Sequence, residues 1–237
     1  MDKINIPYQE TGYFSKLIID LLANKDDLKS FYNQPFSLGN FKTQIEQKQL
    51  SENNRSVLSQ ALKEQYKGLD TSKEVIFNIA SLADKDTYTV TTGHQLNLFT
   101  GPLYFIYKIV AAINIAKELK VKYPDKHFVP VYWMATEDHD FEEISFFNLF
   151  GKKHEIAQVQ KGAVGRMKLD GIDKVFDQLE QTLENRTGIE SLIAKLKACY
   201  KTENTFTEAI RSVVNSLFEK YGLVIIDGDD KSLKQLF

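Results

Sequence analysis

The stretch TYTVTTGHQLNLFTGPLYFIYKIVAAINIAKEL, residues 87–119, constrains the fold of this chain more than any other part. It begins with a β-rich run at residues 88–92, continues through a polar segment bounded by glycines, and opens at Gly101-Pro102 into an apolar helix. A strand–loop–helix unit of this kind places free backbone N–H groups and the positive end of a helix dipole beside the loop side chains. The pattern therefore predicts a place that favours phosphates or carboxylates.

Two further predicted strands extend this unit into a sheet. The run HFVPVYWMA at residues 127–135 is apolar almost throughout, as in a central parallel strand that is covered on both faces. Pro130 lacks a backbone N–H group, so a bulge or an irregular ladder is expected there. The run GLVIID at residues 222–227 is expected to return to the same sheet. We therefore predict an α/β fold with a Rossmann-like parallel sheet.

Helices are predicted before and between these strands. SKLIIDLLA, VLSQALKEQY and SKEVIFNIASLA have apolar residues at helical spacing, and Asp70, Thr71 or Ser72 is expected to cap the third of these helices. KKHEIAQVQ and AVGRMKLD predict a β-hairpin around Lys161-Gly162. Three more helices are predicted at residues 172–187, 189–201 and 205–221.

The expected domain organisation follows from this order. It comprises an N-terminal helical segment that packs on the core (1–80), a Rossmann-like core (81–150 and 205–237) and a connecting insertion (151–204). A helix predicted to begin at Lys231 has only seven residues, which are too few to cover a sheet face. The core is therefore expected to be incomplete at its C-terminus, and the chain to be the front part of a longer protein.

Composition excludes several classes of protein. The net charge is −2, so no broad basic field indicates a nucleic-acid partner. No run approaches the roughly 20 apolar residues of a membrane span, and the N-terminus has no apolar leader segment, so a cytoplasmic protein is expected. The single cysteine excludes an intrachain disulfide and a cysteine zinc site.

Several residues with reactive, charged or aromatic side chains are expected to be structural. Cys199 lies in a helical run and is expected to be a buried thiol. Lys108 is expected to lay its stem along an apolar helix. His127 and His154 are expected at the surface, and Trp133 in the core.

The polar segment GHQLNLFTG, residues 93–101, is the first candidate site. It is neither a Walker loop nor a GxGxxG turn. The residues predicted to bind ligand there are Gly93, His94, Gln95, Asn97, Thr100 and Gly101. Their hydrogen-bonding groups near a helix start suit phosphate oxygens without a lysine. The alternative is a polar loop that only caps the helix, with Thr100 as its N-cap.

A second candidate site, EDHD, directly follows the second predicted strand. In open α/β sheets ligands bind beyond the carboxyl ends of the strands, so both polar segments are expected at one rim. Glu137, Asp138 and Asp140 are suited to an ammonium group or Mg²⁺. His139 is suited to acid–base chemistry near neutral pH. The alternative is an acidic turn that caps a helix beginning near Phe141.

A third candidate is Asp227, which ends the last predicted strand and is expected to reach the same rim. Asp229 or Asp230 is expected to cap the helix that follows. No spacing of residues matches the known zinc ligand sets, so no metal site of that kind is predicted.

Three motifs occur in this order: TTGHQLNLFTGPLYFIYK, VPVYWMATEDHDFEEI and YGLVIIDGDD. From about residue 87 to the last residue, the chain resembles the cysteine ligase of bacillithiol biosynthesis. The resemblance implies a Rossmann-like core similar to nucleotidyltransferases and class I aminoacyl-tRNA synthetases, with a connecting-peptide insertion. It also implies a protein roughly twice this length, which forms a homodimer through a C-terminal coiled coil.

The activity implied by the resemblance is the last step of bacillithiol assembly, in which cysteine is joined to the amine of glucosaminyl malate. It further implies activation of a carboxyl group by a nucleotide, ATP or ADP with Mg²⁺. The loop around Gln95 lies where synthetases have their first signature motif, although His94 stands where many relatives have glutamine. The lysine-rich second signature is not in this chain.

The expected catalytic residues are His139, Asp138 and His94, with the loop holding negative charge and EDHD orienting an amino group. Two alternatives remain open. One is a nucleotidyltransferase that acts on another small molecule. The other is a ligand-binding or assembly module without turnover.

Overall fold

The computed structural model describes residues 4–156, 161–184 and 186–236. They form two compact units, residues 4–49 and residues 50–236. The first unit contains helices α1 (Tyr8–Thr11), α2 (Lys16–Leu22) and α3 (Phe41–Gln47) and a 3-10 turn, Asp26–Phe31. The predicted helix SKLIIDLLA is confirmed as α2, whose first turn is capped by the Ser15 hydroxyl. None of the residues in this described part is buried.

The second unit contains the sheet. Its elements in chain order are α4 (Glu52–Gln65), α5 (Lys73–Ser81), β1 (Thr87–Gln95), α6 (Leu103–Lys122), β2 (His127–Ala135), α7 (Phe141–Ile144), β3 (Phe146–Leu149), β4 (Lys152–Glu155), a 3-10 turn (Val164–Arg166), α8 (Ile172–Leu183), α9 (Glu190–Cys199), α10 (Phe206–Phe218), a 3-10 turn (Glu219–Tyr221), β5 (Val224–Asp227) and α11 (Lys231–Lys234). Ser72 caps α5, as predicted. In the described part of the chain, no helix is both long and apolar enough to cross a membrane.

Three parallel strands in the order β1-β2-β5 form the central sheet. In the β1–β2 pair Gln95 lies opposite Ala135, and in the β2–β5 pair Met134 lies opposite Asp227. The three carboxyl ends therefore lie at one rim of the sheet. The predicted α/β, Rossmann-like fold is confirmed.

The bulge expected at Pro130 is absent. Pro130 pairs in continuous register with Val90, and pairing with β5 begins only at Val131. In a parallel ladder the hydrogen-bonding groups of successive residues point to opposite neighbours. The missing N–H of Pro130 points toward β5 at a level where β5 has not begun, so no ladder bond is lost.

The predicted hairpin around Lys161-Gly162 is wrong. The antiparallel pair is instead β3–β4, with Phe147 opposite His154. Phe150 and Gly151 connect these strands with φ values of 49° and 76°, the left-handed conformations of a tight two-residue hairpin loop. Asn-Gly is the usual signal for such a loop, and Phe-Gly lacks it. Residues 157–160, part of the predicted hairpin, lie outside the described residues.

The division into residues 1–80, 81–150 with 205–237, and 151–204 stays a prediction. In the structure α4 and α5 belong to the same compact unit as the sheet. Arg55, buried in α4, connects them to β1, because its guanidinium donates hydrogen bonds to the carbonyls of Asp84 (2.8 Å) and Thr87 (2.9 Å).

The outer edge of β5 is closed by two side chains from the end of α4. The Tyr66 hydroxyl accepts a hydrogen bond from the Ile225 N–H at 2.8 Å. The Gln65 side-chain oxygen accepts one from the Asp227 N–H at 2.9 Å. Burial raises the pKa of Tyr66 to about 12, so the hydroxyl is neutral at physiological pH.

Replacing Tyr66 by Phe tests this edge. The Tyr66→Phe change leaves the fully buried Ile225 N–H without its acceptor, which is expected to lower the free energy of unfolding by about 1–3 kcal/mol. Urea denaturation of the two proteins measures the difference. Tyr107→Phe, at an exposed position of α6, is the matched control and is expected to change little. Equal effects of the two changes would contradict the assignment.

Candidate functional site

Hydrogen bonds between side chains connect the three predicted polar segments at the rim. The Gln95 amide donates to the Asp138 carboxylate with an N···O distance of 2.7 Å. The Thr136 hydroxyl donates to the carboxylate of Asp227. The end of β1 therefore contacts the segment after β2, which in turn contacts the end of β5. The expectation that all three meet at one rim holds for these residues.

Asp138 is held as a charged carboxylate. The Gln95 hydrogen bond lowers its pKa most, followed by the backbone N–H of His139, which donates at 2.7 Å. The Gln95 amide also donates to Glu143 at 3.2 Å. The His139 side chain is exposed. A fixed anion therefore lies beside an accessible imidazole, a pairing suited to an amine and its proton.

His94 and Gln95 are the last two residues of β1 and are not in the loop. The His94 ring stacks on Tyr104 with ring centroids 5.1 Å apart. Burial, and next the charge of Lys108, lowers the His94 pKa. Among the described residues its buried Nε2 has no hydrogen-bond partner. His94 is therefore a neutral imidazole near pH 7, with one ring nitrogen free to bind a ligand.

Lys108 does not only lie along its helix, as its position in the sequence suggested. Its ammonium group donates a hydrogen bond to the Gly93 carbonyl near the end of β1. The structure thus places a cation beside His94 at the rim. A lysine in the second turn of α6 supplies the charge that the loop itself lacks.

Buried apolar side chains and hydrogen bonds to one tyrosine fix the conformation of the loop between β1 and α6. Leu96 and Leu98 are fully buried. Phe99 has a left-handed backbone with φ of 61°. The Tyr200 hydroxyl stabilises this conformation by accepting from the Phe99 N–H at 2.7 Å and donating to the Phe99 carbonyl at 3.3 Å. The loop has one fixed shape in spite of its polar sequence.

The remaining predicted loop residues have different roles. The Asn97 amide donates to the Gln95 carbonyl at 3.3 Å, so Asn97 supports the backbone of the site. Thr100 is half-buried. The alternative role for Thr100, as the N-cap of α6, is wrong because the cap position is Pro102, which makes no side-chain cap. The fixed φ of a proline suits a helix start.

Gly101 has φ of 60°, and a Cβ there would lie 2.6 Å from the Cβ of Asn97. Gly101→Ala is therefore expected to lower the free energy of unfolding by about 2–4 kcal/mol, from backbone strain together with the clash. Gly188→Ala is the control, since Gly188 also has a positive φ, 80°, but nothing within 4 Å of its Cβ position. It is expected to cost only about 1 kcal/mol. Thermal denaturation compares them, and equal costs would rule out the clash.

The EDHD residues do not all converge. Asp140 caps α7 by accepting from the Glu143 N–H at 3.2 Å, as the alternative interpretation predicted. Glu137 is half-buried, and one of its carboxylate oxygens is buried without a partner among the described residues. Across the part of the chain that the structure describes, no three His, Cys, Asp or Glu side chains are arranged to hold a metal ion.

Hydrogen bonds hold both the side chain and the backbone of Asp227. Its carboxylate accepts from the N–H of Asp229 at 2.9 Å as well as from Thr136. Its own carbonyl accepts from the Gln65 amide at 3.3 Å. Asp230 caps α11 by accepting from backbone N–H groups of its first turn. Asp227 therefore shapes the rim through its hydrogen bonds.

A comparison with protein families matches residues 1–237 to the family described as Bacillithiol biosynthesis BshC, N-terminal Rossmann-like domain. The chain belongs to this family. The resemblance that the three sequence motifs indicated is thereby confirmed, and BshC relatives can be compared with the chain directly.

Curated relatives carry the name "Putative cysteine ligase BshC". The one from Flavobacterium johnsoniae is 48% identical over 234 residues, which are 98% of this chain and 44% of that protein. The one from Flavobacterium psychrophilum is also 48% identical, over 98% of this chain and 44% of the relative. The one from Cytophaga hutchinsonii is 43% identical over 100% of this chain and 43% of the relative. The chain thus spans less than half the length of these BshC relatives.

Sequence reasoning missed the residues that hold this rim in place. Gln65 and Tyr200 are far from the rim in sequence, and Thr136 is hidden between a strand and EDHD. Arg211 is 8% exposed and donates to the Gln65 carbonyl at 2.7 Å. Burial lowers the Arg211 pKa, although nearby carboxylates such as Asp227 oppose the shift. The only sign of this role in the sequence was Arg211 itself, a charged residue among the apolar positions of α10.

The two histidines that were expected at the surface are partly or fully buried. His127 is half-buried and its Nε2 lies 2.8 Å from the Asn78 side-chain oxygen. His154 is only 3% exposed and stacks on Phe147 with ring centroids 5.0 Å apart. A histidine in a short strand rich in lysine gave no sign of burial. Cys199 is buried, as predicted.

The Asp138 pKa tests the contact that joins the two segments. Because the folded-state pKa is lowered, the carboxylate contributes stability above its unfolded pKa, and this is lost as pH falls through the folded value. Gln95→Ala removes the largest cause and is expected to raise the Asp138 pKa. NMR titration of the carboxyl carbon measures it. Asn97→Ala, which removes a neighbouring amide, should leave the pKa unchanged; no rise in Gln95→Ala would refute the contact.

Proposed function

We propose that this chain supplies the Rossmann-like part of a ligase that joins cysteine to the amine of glucosaminyl malate, in the last step of bacillithiol biosynthesis. Membership of the BshC family supports the pathway, and the name of the relatives supports a cysteine ligase. The observation that carries the proposal is the 2.7 Å Gln95–Asp138 hydrogen bond, because it unites the end of β1 and the acidic segment after β2 in one site.

Formation of an amide needs an activated carboxyl group, a free amine and an acceptor for a proton. In the proposed reaction Asp138 attracts and orients the ammonium form of the amine. His139, exposed beside it, takes one proton from this ammonium group, and the free amine then attacks the activated carboxyl carbon. The activating group departs with its bonding electrons as the amide forms, and the second proton of the amine is released to solvent. Glu137 contributes further negative charge, and its unpartnered buried oxygen suits a hydrogen-bond donor of the substrate. Holding the two reactants together supplies much of the rate.

Negative charge is bound on the other side of the site. The free Nε2 of His94, the ammonium group of Lys108 and the loop between Gly93 and Gly101 suit oxygen atoms of a carboxylate or phosphate. Gln95 is already engaged with Asp138, so it positions the carboxylate of that residue. Thr100, half-buried and close to the start of α6, adds a hydroxyl that can turn toward the ligand.

The proposed cofactor is ATP or ADP with Mg²⁺. The donor set fits phosphates, since Lys108 offers a cation and His94, with its proton on Nε2, would offer a neutral donor next to a helix start. A bound nucleotide would supply activation of the carboxyl group. Because the described residues form no group of metal ligands, Mg²⁺ would depend largely on phosphate oxygens. The same proposal includes a homodimer of the full-length protein, located in the cytoplasm.

The experiment uses the full-length protein with cysteine, glucosaminyl malate and ATP, and measures bacillithiol by mass spectrometry. Asp138→Asn and His139→Ala are each expected to lower product formation about 100-fold or more, the scale of general acid–base catalysis. Glu142→Gln, an exposed carboxylate in the first turn of α7, is the control. Circular dichroism checks that each variant folds. Product at the wild-type level in both site variants would overturn the assignment.

The alternatives give different results. A nucleotidyltransferase acting on another small molecule releases pyrophosphate without any need for cysteine. A ligand-binding module binds in calorimetry but forms no product. Residues 1–237 tested alone are expected to be inactive and to retain binding, which calorimetry with ADP, cysteine and glucosaminyl malate would measure.

A further inference from the structure

A cavity of about 430 Å³ is formed by residues of β4 and α8. Its volume lies within the range of roughly 300–1,000 Å³ that is usual for small-molecule sites. The residues that line it are Lys152, Lys153, His154, Gln178, Gln181 and Thr182. None of them belongs to the three polar segments at the rim, so the cavity is a second place where a ligand could bind.

His154 is the buried residue of this cavity. It is 3% exposed, and its ring stacks on Phe147. Both ring nitrogens are buried, and neither has a hydrogen-bond partner among the described residues. An imidazole carries at least one N–H donor, and a donor that is buried without an acceptor costs free energy. A molecule in the cavity that accepts a hydrogen bond from His154 would remove this cost.

Three further side chains of the cavity have unused hydrogen-bond donors. Lys152 lies two residues before His154 in β4, so both side chains are on the same face of the strand. Gln178 and Gln181 are three residues apart on α8, so they are neighbours on one face of the helix. Within the described part of the chain, the ammonium group of Lys152 and the two side-chain amides have no hydrogen-bond partner.

The lining of the cavity carries positive charge. No aspartate or glutamate is among its described lining residues. The ammonium group of Lys153 forms an ion pair with Glu155 and lies 4.6 Å from the centroid of the Phe146 ring, so its charge is compensated within the hairpin. Lys152 pairs with no carboxylate among the described residues. The cavity therefore favours an anion.

We propose that this cavity binds a phosphate group, either free or as the ester of a small molecule. A phosphate ester offers three strong acceptor oxygens. Lys152 supplies a cation, and His154 and the amides of Gln178 and Gln181 supply further donors. A carboxylate has only two oxygens and would leave more of these donors unpaired. The inference depends on the cavity alone and does not require the proposed ligase chemistry.

Two variants of the full-length protein test the site by isothermal titration calorimetry with inorganic phosphate. His154→Phe removes both ring nitrogens and keeps an aromatic ring against Phe147. Lys152→Gln removes the charge at an exposed position. Each change is expected to weaken phosphate binding at this site about 10-fold or more, because a hydrogen bond to a charged group is lost. Lys174→Gln, at an exposed position of α8, is the matched control and is expected to leave the affinity unchanged.

The bound anion must also be located, because the rim is a second candidate for phosphate. Crystals of the full-length protein soaked in tungstate, a heavy analogue of phosphate, are expected to show anomalous density within hydrogen-bond distance of Lys152 and His154. A parallel titration with glucose 6-phosphate distinguishes the two sources of the group. Tighter binding than that of inorganic phosphate identifies an ester as the ligand, and equal affinity identifies free phosphate; both support the proposal.

Several outcomes would overturn the proposal. They are the absence of phosphate binding to the unaltered protein, an affinity that both variants leave unchanged, and tungstate density at the rim alone. Binding of malate in the cavity without binding of phosphate would also overturn it, because the site would then select carboxylates. If His154→Phe fails to fold, as circular dichroism would show, Lys152→Gln still decides. Because no measurement requires product formation, failure of the proposed ligase activity would leave these results unchanged.

Discussion

The parallel register of β2 with both of its neighbours is the constraint on which the rest of the structure depends. It brings Gln95, Ala135 and Asp227 to one level, so that polar residues from three distant parts of the chain meet at one rim. A shift by one residue would turn the side chains of a strand to the opposite face. The apolar sequence of β2 fixes this register because six of its nine residues are buried.

The rim contains carboxylates that are held by hydrogen bonds and also buried polar atoms that have no partner among the described residues. Asp138 and Asp227 have their carboxylates engaged by neighbouring donors. His94 and Glu137, in contrast, each keep a buried polar atom that no described residue satisfies. Buried atoms of this kind are uncommon in folded proteins, because leaving them unpaired costs free energy. The two at His94 and Glu137 lie at the carboxyl ends of β1 and β2, the rim at which open α/β sheets bind ligands.

Much of this fold could be predicted from local sequence patterns. The apolar run of β2, the Pro-initiated α6 and the amphipathic α10 all carry strong periodic signals, and each is present in the structure. The strand-end rule then placed Gln95 and Asp138 together. What escaped prediction depends on contacts between residues far apart in sequence. The Tyr200 anchor and the Gln65 bridge are each fixed by a partner that no local window contains.

The hairpin of β3 and β4 escaped prediction for a different reason. Its loop uses Phe150 in a left-handed conformation, which a phenylalanine adopts only when the surrounding structure requires it. Prediction from turn residues therefore selected Lys161-Gly162, where the composition suited a turn. The resemblance to a known family supplied the functional hypothesis, whereas residue patterns alone left three classes of protein open.

The anchoring of Phe99 by Tyr200 has a consequence for how the protein matures. The two residues are 101 positions apart. During synthesis β1 and α6 leave the ribosome long before α9 does, and the turn between them has no tyrosine to bind. The loop between β1 and α6 therefore cannot make its Tyr200 hydrogen bonds until α9 has been synthesised, so its final shape is fixed later than the strand and helix that it joins are made.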